Sequence, residues 1–97
     1  MSVIYDGDEM IIRKHIIFTG YVQGVGFRWR AAKAASLYGV SGYVRNLPDG
    51  SVEAELEAEE EMIDRLIMAV ERGSYVQITG MKVRSMQPTG EHGFYTG

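Results

Sequence analysis

The sequence contains no cysteine. Disulfides, thiolate metal sites, iron–sulfur clusters and every thiol-nucleophile mechanism are excluded together. Histidine is nearly as scarce, with only His15 and His92. That is too few for a multi-histidine metal site and a poor basis for a Ser/His triad. No apolar run approaches the ~18 residues of a membrane span. The first nine residues carry Asp6, Asp8 and Glu9 without a basic cluster, so they do not read as a secretory signal. These absences predict a soluble cytoplasmic protein with no membrane contact. The 97 residues are too few for a barrel enzyme or a kinase and suffice for one two-layer core. Hydrophobic residues at 45% and charged residues at 24% argue against disorder.

An excess of basic charge is also missing. Ten basic and thirteen acidic residues give a net charge of −3. This argues against bulk nucleic-acid binding, which needs net neutralisation of phosphates. The charges are segregated, however. Arg13 to Arg45 holds six basic residues and no acid, whereas Asp49 to Glu71 holds nine acids and one base. The basic half leaves room for a local site that takes a small anion.

Residues 1–10 read as a flexible N-terminal tail, in which Asp6-Gly7-Asp8 is a solvated acidic stretch and not a phosphotransferase carboxylate pair. Residues 11–97 read as a single domain without repeats or linkers. Ile11 to Tyr21 alternates and is rich in β-branched residues, as a strand is. Gly20 to Gly26 is a loop. Phe27 to Tyr38 is a helix whose apolar stripe is Phe27, Ala31, Ala34, Ala35 and Tyr38, ended by Gly39. Val40 to Leu47 and Ser51 to Glu57 are strands joined by the Leu47-Pro48-Asp49-Gly50 turn. Glu59 to Arg72 is a second helix with Met62, Ile63, Leu66, Ile67 and Val70 on its apolar face. Val76 to Arg84 is a fourth strand, with a bulge expected at Gly80. Phe94-Tyr95 could add a short fifth strand at an edge. The order β-α-β-β-α-β predicts an α+β, ferredoxin-like fold: a four-stranded antiparallel sheet with both helices on one face. RNA-recognition modules share this fold but show aromatics on the open sheet face. Here strand three puts Glu53, Glu55 and Glu57 there, which repels phosphate.

Two segments carry chemistry. Between strand one and helix one runs Gly20-Tyr21-Val22-Gln23-Gly24-Val25-Gly26-Phe27-Arg28. Glycines in such a turn let successive backbone N–H groups converge on an anion, and the helix N-terminus adds partial positive charge. Arg28 can add a bidentate guanidinium fork. The spacing is neither that of a Walker loop nor that of the dinucleotide fingerprint. On the residues alone, a phosphate cradle and a merely tight connection stand level. The second segment is Tyr43 to Gly50. Asn46 shares a strand face with Gly42 and Val44, both expected inward, and an amide there either caps the turn or serves a site.

Taken together, Val22-Gln23-Gly24-Val25-Gly26-Phe27-Arg28, Val44-Arg45-Asn46-Leu47-Pro48-Asp49-Gly50 and Pro88-Thr89-Gly90 resemble the acylphosphatase family, from about Lys14 to Tyr95. The resemblance implies hydrolysis of a small-molecule acyl phosphate to a carboxylate and inorganic phosphate, with no metal and no cofactor. It implies that Arg28 binds the phosphoryl group and that Asn46 holds the attacking water. Val22, Gln23, Gly24, Val25, Gly26 and Phe27 would form the phosphate cradle. Inorganic phosphate would bind as product or competitor, and the protein would act as a monomer. Tyr43 departs from the tryptophan frequent in the family and keeps an aromatic plate. Of the remaining residues, His15, His92 and Arg30 are expected at the surface. Trp29 is expected to pack at the edge of the sheet layer, and Glu57 with Glu59 to Glu61 to form a solvated acidic stretch.

Overall fold

The computed structural model describes residues 10–97. The tail expected over residues 1–10 therefore lies, apart from Met10, outside the described residues. The elements follow in the order β1 (Ile11–Tyr21), α1 (Phe27–Tyr38), β2 (Ser41–Asn46), β3 (Val52–Glu59), α2 (Glu60–Glu71), β4 (Gln77–Met86) and β5 (Phe94–Thr96). The sheet order is β4-β1-β3-β2-β5. The first four strands pair antiparallel, as the ferredoxin-like pattern requires. The short edge strand forms too, and it runs parallel to β2, with Gly42 opposite Phe94 and Val44 opposite Thr96.

Side-chain alternation builds the core. Ile16 and Phe18 of β1, Val44 of β2 and Val52, Ala54 and Leu56 of β3 are buried against the helices. From α1 they meet Phe27, Ala31, Ala34 and Ala35, and from α2 Ile63, Leu66 and Val70. The rings of Phe18 and Phe27 lie 5.0 Å apart at 60°. This tilted aromatic contact ties the middle of β1 to the first residue of α1 and so fixes where the helix begins. The irregularity in β4 lies beside Gly80 as expected, but the extra residue is Thr79. Thr19 faces Gly80 and Gly20 faces Ile78.

The open sheet face is more buried than its alternating pattern implies. Glu57 is only 5% exposed, not solvated. It faces Arg13 across β1 and β3. Arg13, 2% exposed, donates to Glu57 at 2.9 Å, to Glu55 at 2.8 Å and to Glu91 at 2.9 Å. Glu57 also accepts the backbone N–H groups of Thr89 and Gly90, at 2.8 and 2.9 Å. Burial alone would push the Glu57 carboxyl up. The two N–H groups and the guanidinium outweigh it and hold the carboxyl down at about 2. This pairing fastens the β4–β5 connection to the sheet. His15 likewise departs from the surface position expected of it. It is half-buried on β1, between β4 and β3, with Nε2 2.8 Å from Glu53 Oε2.

Candidate active site

The loop Val22–Gly26 carries the chain from the end of β1 to the start of α1. Gly24 and Gly26 adopt φ of +73° and +82°, a conformation that residues with a Cβ rarely enter. Gly26 is also the N-cap of α1 and, being glycine, supplies no capping side chain. The first N–H groups of a helix have no intrahelical acceptor. In α1 no acid stands in the first turn to meet them, whereas α2 has Glu60 and Glu61 there. The start of α1 thus has no negative side chain beside its N–H groups, whereas α2 places two carboxylates near its own.

Arg28 follows on the first turn of α1. Its Nη1 donates to the carbonyl oxygen of Gly97. Gly97 is itself held by its N–H to the carbonyl of Val44, at 2.9 Å. Strand β5 and the residue after it therefore orient the guanidinium from the β2 side. A guanidinium has five donors, so this contact leaves a fork for a phosphoryl group.

Asn46 ends β2 on the helix-facing side, in line with buried Gly42 and Val44, as its strand spacing predicts. It does not cap the turn. Asp49 does that, accepting from the Ser51 N–H at 2.9 Å and the Ser51 hydroxyl at 2.5 Å. These two bonds, the hydroxyl's first, hold the Asp49 carboxyl below its ordinary value. No described residue hydrogen-bonds the Asn46 carboxamide. It is half-buried.

Arg28, Asn46, Val22, Gly24, Gly26 and Phe27 line one cavity of about 420 Å³. Two loop residues named in the sequence do not line it. Val25 turns to the core, against which it packs. Gln23 turns to the β2–β3 hairpin, where its Nε2 donates to the carbonyls of Leu47 and Ser51, both at 2.8 Å. Its side chain splints the loop to the strand that carries Asn46.

Trp29, Ala32 and Thr96 complete the lining. Trp29 is 64% exposed at the cavity rim and does not pack at the sheet edge. Its position directly after Arg28 was the available signal. Thr96 enters through the parallel pairing of β5, which a three-residue strand does not announce. Tyr43 lies on the opposite sheet face, where its hydroxyl donates to Glu55 at 3.1 Å. Burial and the neighbouring Glu55 push its phenol up to about 12. Among the described residues, no helix is long and apolar enough to cross a membrane. Nor do three His, Asp or Glu side chains among them gather as a metal-ion site.

The family profile described as Acylphosphatase matches residues 14–96. The acylphosphatase of Thermococcus kodakarensis is 43% identical over 84 residues, covering 86% of this chain and 92% of that protein. The acylphosphatase of Methylococcus capsulatus is 46% identical over 80 residues, covering 81% and 87%. Among solved structures, the acylphosphatase from Bacillus subtilis superposes with a TM-score of 0.81 at 32% identity, covering 91% of this chain and 99% of that one. The match spans both the loop that opens α1 and the hairpin that follows Asn46, and on this ground the chain belongs to the acylphosphatase family.

Proposed function

We propose that this protein hydrolyses acyl phosphates to a carboxylate and inorganic phosphate, by attack of water on phosphorus at the Arg28–Asn46 cavity. The observation that carries the reading is the convergence of an anion-accepting helix start, a guanidinium and an unengaged carboxamide on that one cavity. The phosphoryl group sits at the N-terminus of α1, held by loop N–H groups and the Arg28 fork. These preorganised donors stabilise the charge on the transferring group, which is usually the largest contribution to catalysis of phosphoryl transfer.

Asn46 does not take a proton at neutral pH. It orients the water, either accepting a water O–H through its carbonyl or donating N–H to the water oxygen. The water oxygen bonds to phosphorus as the bond to the acyl oxygen breaks. A nonbridging phosphate oxygen of the substrate receives the water proton. The acyl oxygen leaves as a carboxylate, a stable anion that needs no protonation, so no general acid is required. Gln23 serves as a positioning residue for the loop, and Val25 anchors that loop to the core.

A single domain over residues 11–97 carries the whole site, and inorganic phosphate binds in the same place as product. The protein acts as a cytoplasmic monomer. Its edge strand β4 presents Lys82 and Arg84, and charges of this kind discourage pairing with another strand.

Hydrolysis of benzoyl phosphate in ¹⁸O-water tests the direction of attack. The label is expected in phosphate. Label in benzoate would place the attack on carbon and overturn the mechanism.

A further inference from the structure

A second pocket, of about 330 Å³, abuts the phosphate cavity, with Trp29 in the wall of both. Its other walls include Arg30, Lys33, Leu37 and Tyr38. Three observations define what it would take.

First, the wall shared with the phosphate cavity is an indole that is 64% exposed, and beyond it Leu37 is 72% exposed. Bare apolar surface next to a binding site favours an organic group over solvent. Second, the pocket lining contains two cations and no acid. Among the described residues, neither Arg30 nor Lys33 forms a salt bridge. Third, the two cations are not equivalent. Arg30 is half-buried and lies against Gly73, where an added Cβ would stand 2.7 Å from Arg30 Nε. That places its charge just beyond the C-terminal end of α2, where a cation is favoured by the helix itself. Lys33 is exposed, with Nζ 5.0 Å from the centre of the Trp29 ring. The cation–π contact holds the ammonium at the indole edge of the pocket without neutralising it.

Helix geometry supplies the spacing. Trp29 and Lys33 are four residues apart and share a face. At 1.5 Å and about 100° per residue, Lys33 lies about 7.5 Å along the axis and about 140° around it from Arg28, with Trp29 between the two and its ring 5.0 Å from Lys33 Nζ. A substrate whose phosphoryl group meets Arg28 would therefore lay its acyl group along Trp29 and bring the far end of that group to Lys33.

We infer that Trp29 and Lys33 form an acyl subsite that selects acyl phosphates bearing a second anionic group, a carboxylate or phosphate at the far end of the acyl chain. The inference rests on acyl phosphate hydrolysis at the Arg28–Asn46 cavity. Trp29 supplies the apolar contact, and Lys33 supplies the charge.

The test compares 4-carboxybenzoyl phosphate with 4-methylbenzoyl phosphate, a rigid pair that differs at the far end in charge. Rates are corrected for spontaneous hydrolysis. The wild-type protein should favour the carboxylated substrate in kcat/KM by about three- to fivefold, the scale of one solvent-exposed ion pair. The preference should lie in KM and shrink as salt is raised. Lys33→Gln should abolish it and Lys33→Glu should reverse it, while Arg30→Gln should leave the ratio in place. Trp29→Ala should lower kcat/KM for both aromatic substrates relative to acetyl phosphate. Hydrolysis of both substrates at a ratio that neither Lys33 variant moves would overturn the subsite and leave the hydrolytic reading standing. No hydrolysis of any acyl phosphate would overturn that reading and the subsite with it.

Discussion

Gln23 and Leu47 are joined by a 2.8 Å hydrogen bond from the Gln23 side-chain amide to the Leu47 carbonyl. The same amide donates to Ser51. Through these two bonds the loop that opens α1 is fixed to the end of the strand bearing Asn46. The loop proposed to hold phosphate and the strand end bearing Asn46, proposed to hold water, are therefore tied to one another. Gln23→Ala should lower kcat/KM for benzoyl phosphate by about 10- to 100-fold, because an error near 1 Å in catalytic placement has effects of that size. Gln23→Glu should be worse, since an acceptor would then face two carbonyl oxygens. Steady-state kinetics beside thermal unfolding of each variant would check both.

The hydrogen bonds that Glu57 accepts make the protein acid-sensitive in a defined range. Its carboxyl is depressed to about 2 in the folded state, with burial opposed by Thr89, Gly90 and Arg13. An unfolded glutamate titrates near the ordinary value of about 4.3. The stabilisation is therefore complete above that value and is lost as pH falls toward 2. Chemical denaturation from pH 6 to pH 2 should show a decline that is shallower in Glu57→Gln. At neutral pH that variant should itself be less stable by about 3 kcal/mol, the scale for breaking a buried ion pair. An unchanged slope would show that other carboxyls govern the acid limb.

Gly42 has φ of +132°, and a Cβ added there would stand 1.8 Å from the Glu55 carbonyl oxygen. Backbone strain and overpacking would act together in Gly42→Ala, at about 2–5 kcal/mol. The loss should appear in the denaturation midpoint of the variant. A midpoint within error of wild type would mean that β2 and β3 can separate at this point without cost.

Neither histidine is placed to take the water proton. His15 pairs with Glu53 on the sheet face opposite the helices, and exposed His92 lies outside the Arg28–Asn46 cavity. His15→Ala and His92→Ala should each retain kcat within about twofold, a change of under 1 kcal/mol in the barrier. The pH–rate profile should follow ionisation of the substrate phosphate in every case. A collapse of kcat in either variant would assign the base to the protein.

Much of this was legible in the chain because local pattern and final environment agree. The α1 boundaries follow from Gly26, the Phe27–Ala31–Ala34–Ala35 stripe and Gly39. Arg28 and Asn46 were legible as a pair through the two motifs around them, and the cavity brings them together. What stayed hidden depends on partners distant in sequence. Glu53, Glu55 and Glu57 alternate as a wetted face does. Nothing local shows that Arg13 and the Thr89–Gly90 turn close over Glu57. Three-residue β5 carries too little pattern to reveal a parallel pairing, so Thr96 went unread as a wall of the site. Trp29 reads as a large apolar residue packed at the edge of the sheet layer. Its place one residue after Arg28 puts it at the cavity rim instead.

The division of labour between Arg28 and Asn46 is tested most directly by measuring phosphate binding and turnover together, in EDTA, on Arg28→Ala and Asn46→Ala. Arg28→Ala should lose both inorganic phosphate affinity and benzoyl phosphate hydrolysis. Asn46→Ala should keep phosphate affinity near wild type and lose about 10²–10³ in kcat, the scale of one positioned catalytic donor. Equal loss of phosphate binding in the two variants, or undiminished turnover in Asn46→Ala, would contradict the account.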